Sequence, residues 1–490
     1  MTKRPGVFSR GYRRLATAVL LITSLVAFEG LSVTAALPEI GAALGSVNLL
    51  PWVVTSYMVA SGFALAVAGP VIDAVGARRV FRWSTLAFLV SSLVCGLAPS
   101  MLTLIVARAL QGFAGGAVMS TSSASIGLGY PESVRSRAYA MASTIWGVLA
   151  FGGPALAALV LTAADWRWIF LCNVPLCLLA AVAGWTAVPG PPEGESPLSL
   201  DLPGGFWLLF GLCWCLFGVS RFDRWGVLGL GLATLAGAVY WRHSGRSDAP
   251  VLARRHFAGR PFGLLAASAA FIMGAGIGAE TYLPLYLRAT RGVGIALAAW
   301  SVLFLTVGWT LGANVASRLY SRIDERQMTV LAAATMPPSL LLAGAAAWWE
   351  WPLPWLFAIY TLVGLAVGAT TNPCLTLVQF LAEPSEVGRA TTAHQFLRTM
   401  AATLGAALAG TVIFAVTAAQ GADVESVREL LSGEGAPASS LPQAAEGVAG
   451  GFAFAHIVAA AASLFGLAAA VRSARSLPKE SLDRLRQLES

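Results

Sequence analysis

The chain has 490 residues, of which 57% are hydrophobic and only 11% charged, with 32 Lys and Arg against 24 Asp and Glu. Soluble domains carry roughly 25% charge, so this composition excludes an ordinary set of soluble domains, a disordered chain, a coiled coil and a large extramembrane catalytic domain. What it leaves is an all-α polytopic membrane protein, because fourteen spans of about 21 residues would fill roughly 60% of the chain, and the long unbroken apolar runs do not alternate like barrel strands.

In chain order, Lys3, Arg4, Arg10, Arg13 and Arg14 precede an apolar stretch from Leu15 to Leu37. That stretch is too long for the core of a cleaved signal peptide and contains Glu29, so it reads as a retained first span. Apolar windows bounded by turn residues and charges place the first six helices at 15–37, 50–71, 80–98, 101–128, 138–163 and 168–188. Two shorter helices follow at 204–220 and 226–241, and six more at 262–284, 294–317, 328–349, 353–380, 390–418 and 450–472. The expected organisation is an N-terminal six-helix bundle (1–188), a linker carrying inserted helices 7 and 8 (189–260), and a C-terminal six-helix bundle with a cytoplasmic tail (261–490).

Fourteen is even, so both termini face one side, and the basic residues say which. With the N-terminus inside, the outer loops hold only Arg167, Arg221, Arg224, Arg288, Arg291 and Arg428, and Arg108 and Arg398 fall inside spans. The other 24 of the 32 bases are then cytoplasmic, a strong positive-inside bias. The net charge of +8 therefore expresses topology and not nucleic-acid binding. The outer loop between helices 13 and 14 carries Asp423, Glu425, Glu429, Glu434 and Glu446, whereas the proline-rich stretch with Glu193, Glu195 and Asp201 reads as a linker between halves. All six cysteines lie in or beside apolar runs without metal-ligand spacing, which points to buried thiols.

A weak internal repeat supports two halves. Gly69-Pro-Val-Ile-Asp73-Ala-Val-Gly76-Ala-Arg78-Arg79 follows helix 2, and Ser317-Arg-Leu-Tyr-Ser321-Arg322-Ile-Asp324-Glu-Arg326 follows helix 10, an offset of 248 positions (317 − 69). Parallel repeats of this kind mark many transporters, with the binding site near the midplane at the repeat interface.

Several segments together resemble the major facilitator superfamily, and within it the fourteen-helix drug:proton antiporter family. Helix 1 ends in Glu29-Gly-Leu-Ser-Val-Thr-Ala-Ala-Leu37-Pro38, and helix 2 opens with Trp52-Val-Val-Thr-Ser-Tyr57. The loop after helix 2 is similar to the superfamily's G-x-x-x-D-R-x-G-R-[RK] signature, with Ala74 at the position after Asp73. Helix 4 carries Arg108-Ala-Leu-Gln111-Gly112, helix 5 has Gly147 and then Gly152-Gly153-Pro154, and helix 6 is preceded by Trp166-Arg-Trp-Ile-Phe170-Leu-Cys-Asn173-Val-Pro175. The acidic position of helix 1 is Asp in most of the family and Glu29 here, and helix 5 lacks the final glycine pair of the antiporter pattern.

The resemblance implies a major facilitator fold of two six-helix bundles plus two inserted helices, working by rocker-switch alternating access. It implies proton-driven export of a lipophilic or amphipathic organic molecule, multidrug efflux in type, with no enzymatic activity, no cofactor and a proton gradient as energy source. Its partners would be that small molecule, protons and membrane lipids, with no nucleic acid, and the protein would act as a monomer in the cytoplasmic membrane. Export of a lipid, siderophore or other specific metabolite is the alternative within the fold; a membrane sensor or scaffold is a distant one.

Ionisable groups inside spans are costly and mark function. Glu29 lies about 21 Å along helix 1, just past the middle of a core about 30 Å thick, and suits proton coupling or a permanent pair with an arginine. Arg108 is its natural partner, since a guanidinium stays charged and offers a planar fork. Tyr57, Gln111, Trp146, Glu280, His394 and Arg398 are the candidate cavity residues; His394 and Arg398 share a helix face, Arg398 also suits a helix-end position, and Glu280 an interfacial one. His456, near the outer start of helix 14, reads as an ordinary buried or interfacial residue. Asp73, with Gly76, Arg78 and Arg79, reads as a conformational latch that accepts from the N-terminus of a helix in the other half, which the resemblance implies to be helix 13, beginning near Arg389. Gly147, Gly152, Gly153 and Pro154 form the helix-5 antiporter motif, where small residues permit close helix approach and a bend.

Overall fold

The computed structural model describes residues 6–45, 49–190, 201–219, 224–247, 250–319, 322–383, 385–421 and 441–477, and these are helical with connecting turns. Glu193, Glu195, Arg221, Asp423, Glu425, Arg428, Glu429 and Glu434 lie outside the described residues, as do Lys3, Arg4 and the C-terminal tail. The helices are α1 (Arg13–Leu44), α2 (Leu50–Val75), α3 (Ala77–Gly96), α4 (Met101–Gly129), α5 (Glu132–Ala163), α6 (Arg167–Leu171), α7 (Asn173–Gly184), α8 (Leu202–Val219) and α9 (Arg224–Ser244). They continue as α10 (Arg255–Ala258), α11 (Phe262–Thr281), α12 (Leu283–Arg291), α13 (Ile295–Trp300), α14 (Val302–Leu319), α15 (Glu325–Trp348), α16 (Leu353–Leu381), α17 (Val387–Ala419) and α18 (Leu441–Ser476).

Ten of these stretches are long and apolar enough to cross a bilayer, with α6–α7 and α11–α12 each counted as one. The remaining four expected spans are α1, α3, α5 and α9, helices of 32, 20, 32 and 21 residues; the first three carry their basic residues at one end, and α9 carries Arg224 and Arg242 at opposite ends. Every one of the fourteen expected spans thus coincides with helix. Three are interrupted, at Cys172, Tyr282 and Ser301. At the first two the cause is a proline just beyond the break, Pro175 and Pro284, which has no N–H to continue the hydrogen-bond ladder. The last span starts earlier than its apolar window because Leu441-Pro442 begins the helix outside it, where proline is tolerated in the first turn.

The chain forms two compact units, Met1–Phe262 with Leu375–Phe396, and Gly263–Cys374 with Leu397–Pro478. The first therefore includes the end of α16 and the start of α17. Its core layer joins Val19 and Ile22 of α1, Ile72 of α2, Phe81 of α3, Val118 of α4 and Tyr139 of α5. The inserted helices α8 and α9 make a hairpin within this unit that rests on α2. Gly218 and Gly229 let its two backbones meet, since a Cβ on Gly229 would lie 2.9 Å from the Gly218 Cα. Asp201 ties the hairpin's base by accepting from the Gly204 amide (2.9 Å) and contacting His243 Nε2 (2.6 Å). The second unit is built on Ile272 and Leu283, Met336 and Leu340, Tyr360 and Val363, and Phe452.

The same contact recurs in each unit. A Cβ on Gly112 or Gly116 of α4 would lie 2.2 or 2.3 Å from the Tyr57 or Ser61 carbonyl oxygen of α2. A Cβ on Gly364 or Gly368 of α16 would lie 2.0 or 2.1 Å from the Leu305 or Trp309 carbonyl oxygen of α14. The partner residues are 248 positions apart (305 − 57 and 309 − 61), the offset of the loop motif, and the glycines are 252 apart (364 − 112 and 368 − 116). Only glycine permits backbones this close, so the faint sequence repeat corresponds to a repeated packing unit.

Candidate functional site

Glu29 of α1 and Arg108 of α4 are brought together inside the first unit, 0% and 2% exposed. Arg108 Nη1 donates to Glu29 Oε1. The second carboxylate oxygen accepts from Asn173 Nδ2 at 2.5 Å, so each oxygen has a donor. Arg108 has further supports: its Nε donates to the Val53 carbonyl (3.0 Å), its Nη1 also to Gln111 Oε1 (2.7 Å), and its guanidinium lies 4.2 Å from the Tyr57 ring centroid and 5.7 Å from that of Phe170. Gln111 in turn donates to Ser92 Oγ at 2.9 Å, which fixes its amide orientation. Two residues read as cavity candidates, Tyr57 and Gln111, therefore serve as walls and braces of the charge pair.

The local chain explains the placement. Arg108 and Gln111 are three apart on α4 and share a face, and Gly112 lets α2 approach so closely that Tyr57 lies over the guanidinium. The break at Cys172 turns Asn173, the first residue of α7, toward Glu29. Asn173 was missed as a site residue; its signal was the W-R-W-I-F-x-x-N-x-P segment, in which it is the one buried amide.

Asp73, the third residue from the end of α2, accepts from the amides of Gly388 (2.8 Å) and Arg389 (3.0 Å), the second and third residues of α17. A carboxylate there satisfies two of the amides that a helix start leaves open and sits at the positive end of the helix dipole. Gly69 and Gly388 make room: a Cβ on Gly388 would lie 2.3 Å from Asp73 Oδ1. The rest of the loop points elsewhere. Gly76 ends α2 at φ +86°, a conformation that side-chain-bearing residues rarely adopt. Arg78 Nε donates to the Val188 carbonyl (2.8 Å), and Arg79 is exposed. On its other side the start of α17 is held by Glu386, which pairs with Arg255. Burial, with Arg255 and Arg389 alongside, pushes the neighbouring His256 imidazole down to about 4.

The other candidates are dispersed. Trp146 is half-buried on α5, and α5 runs without a break through Gly147, Gly152 and Gly153. A Cβ on Gly152 would meet no atom within 4 Å among the described residues, so none of them packs closely there; the Pro154 side chain lies outside the described residues. His394 is buried on α17, and one turn later Arg398 is half-buried with its guanidinium 5.9 Å from the Trp309 ring centroid. Glu280 is buried in the second unit, not interfacial. That unit also holds a groove of about 280 Å³ between α11, α17 and α18, lined by apolar residues such as Phe271, Leu404, Leu408 and Val458 and by none of the candidate cavity residues.

A family model described as "Major Facilitator Superfamily" matches residues 19–406. The multidrug transporter protein MdtP of Bacillus subtilis is 26% identical over 410 residues, covering 80% of this chain and 75% of that one. The probable multidrug-efflux transporter Rv1634 of Mycobacterium tuberculosis is 30% identical over 434 residues, covering 85% and 91%. The match to another transporter of that organism spans 59% of its length. Among solved structures, a bacterial homologue of the iron transporter ferroportin in its outward-facing state superposes with a TM-score of 0.65 at 13% identity, over 95% of this chain and 100% of that one, which bears on fold alone. Ten stretches of the described residues long and apolar enough to cross a bilayer, a repeated glycine-packed helix pair and a family match over most of the sequence have one reading: the chain belongs to the major facilitator superfamily of membrane transporters.

Proposed function

We propose that the protein exports lipophilic or amphipathic organic molecules across the cytoplasmic membrane by proton antiport with alternating access, as a monomer with both termini cytoplasmic. The observation that carries this reading is the buried pair of Glu29 and Arg108. Arg108 keeps the Val53 carbonyl, Gln111 and the Tyr57 face when Glu29 lets go, so Glu29 is the member free to change its protonation. A guanidinium stays charged; the carboxylate takes a proton, releases Arg108, and gives the proton up when the pair re-forms. The names of the relatives, multidrug transporters, support the substrate class. Asp73 would act as the latch that favours one access state. Arg398 and Trp309 would offer a cationic and aromatic surface to the transported molecule. A second reading, export of a lipid, draws on the apolar groove whose residues Phe271, Leu404 and Leu408 are 42%, 45% and 48% exposed.

Proteoliposomes of the purified chain test both readings with cationic dyes, neutral drugs and labelled lipids, each with and without a pH gradient. The expected result is accumulation of dyes or drugs on the acidic side and faster collapse of the gradient in their presence. Movement of lipids alone sinks the drug reading, and flux indifferent to the gradient sinks proton antiport.

A further inference from the structure

A second cluster of ionisable side chains, in the other unit, remains without a role. Glu280 on α11, Tyr360 on α16 and His456 on α18 are 6%, 0% and 0% exposed. His456 Nδ1 lies 2.8 Å from the Phe452 carbonyl oxygen and His456 Nε2 lies 2.8 Å from Tyr360 Oη. Tyr360 Oη is also 3.0 Å from the Ala279 carbonyl oxygen. Glu280 follows Ala279 directly and its carboxyl lies within electrostatic range of the Tyr360 hydroxyl, while Oε1 is buried with no hydrogen-bond partner.

Counting protons shows what this arrangement does. A carbonyl only accepts, so His456 Nδ1 carries a hydrogen. With a neutral imidazole, Nε2 accepts, Tyr360 spends its single hydrogen on Nε2, and the contact with Ala279 has none. With both ring nitrogens protonated, Nε2 donates to Tyr360 Oη, the tyrosine hydrogen turns to Ala279, and all three contacts are satisfied. The charge so created needs a counter-ion in a buried site, and the buried acid of α11 is Glu280, the residue after the Ala279 carbonyl that Tyr360 Oη meets. The remaining neighbours leave this balance alone: Tyr286 of α12 stacks on Phe452 at 4.5 Å and spends its own hydroxyl on the Ala347 carbonyl (2.8 Å), and α15 presents Gly344 to His456.

We infer that Glu280 and His456 share one exchangeable proton beside the Tyr360 hydroxyl, making a second proton-binding site in the unit that does not contain Glu29. Unloaded, the site is a carboxylate beside a neutral imidazole; loaded, it holds one proton taken from solution, either on the carboxyl with both residues neutral or on the imidazole with the two as an ion pair. No bond other than that to the proton is made or broken. Rotation of one tyrosine O–H between α18 and the α11 backbone accompanies the change, which couples proton position to helix contacts. That the site serves transport rests on the reading of the protein as a proton antiporter; that it binds a proton does not.

The test is infrared difference spectroscopy of the purified full chain through a pH titration, comparing wild type with His456→Gln, Glu280→Gln and Tyr360→Phe. In wild type an imidazole band and a buried-carboxyl band should change together. His456→Gln should remove the first and shift the midpoint of the second, and Tyr360→Phe should shift both midpoints while keeping both bands. A wild-type imidazole that does not titrate, or a Glu280 band unmoved by His456→Gln, overturns the inference, and a variant that does not fold is replaced by isotope-labelled histidine in wild type. In liposomes the proton-to-substrate ratio should fall by one when His456→Gln and Glu280→Gln are combined, which leaves no group at the site to take the proton. An unchanged ratio overturns the transport role, whereas wild-type flux with no gradient dependence defeats the antiport reading and leaves the titration standing.

Discussion

Arg108→Met should destabilise the folded protein by about 3–5 kcal/mol and abolish export, while Glu29→Met combined with Arg108→Met should recover most of the stability and none of the transport. Both side chains are essentially inaccessible, so removing Glu29 leaves a guanidinium that cannot be neutralised, and removing Arg108 leaves a carboxylate that must bind a proton or stay buried and unpaired. Removing both deletes the attraction and the desolvation cost together, and replacing a buried pair by apolar groups of similar volume is often neutral or stabilising. What the double variant cannot restore is a group that exchanges a proton. Arg108→Met also forfeits the Val53 and Gln111 hydrogen bonds and the Tyr57 face, the last worth about 2 kcal/mol in a desolvated setting. Thermal unfolding of the four proteins in detergent, set beside their liposome flux, completes the cycle. A double variant as unstable as the worse single one would mean that packing around the guanidinium dominates over charge.

Asp73→Asn should shift the balance between access states by roughly tenfold, the effect of about 1.4 kcal/mol. The aspartate accepts two α17 amides at 2.8 and 3.0 Å, whereas an asparagine keeps one acceptor oxygen, turns an NH2 toward the second amide and loses the charge that favours the helix end. Caps of this kind contribute about 0.5–2 kcal/mol. Cysteine-accessibility labelling on the two faces of the membrane, in the absence of substrate, reads the shift directly, and turnover should fall with it. Unchanged accessibility would show that Asp73 merely ends α2.

How far the sequence carried this account depends on the range of the interaction. Spans were legible because apolar runs and charge breaks are local, and each predicted helix has its counterpart, with ends that differ by up to nine residues (450 − 441) where a helix continues past its apolar window. The Glu29 and Arg108 pairing was legible because buried charges are scarce and few partners exist. Asn173 was not, since its link to Glu29 joins positions 144 apart and turns on a break at Cys172 that no periodicity announces. His456 read as ordinary because its meaning comes from α11 and α16, which meet it only in the folded unit. Conversely, the Gly152-Gly153 pair suggested close packing that the described residues do not supply at Gly152.

The central claim is that Glu29 carries the proton that drives export. It is tested most directly by Glu29→Gln in proteoliposomes, measuring in one preparation both substrate exchange down its gradient and accumulation driven by a pH gradient. Exchange should persist, because the fold remains, and gradient-driven accumulation should vanish. Accumulation by Glu29→Gln that responds to the pH gradient as wild type does would contradict the account.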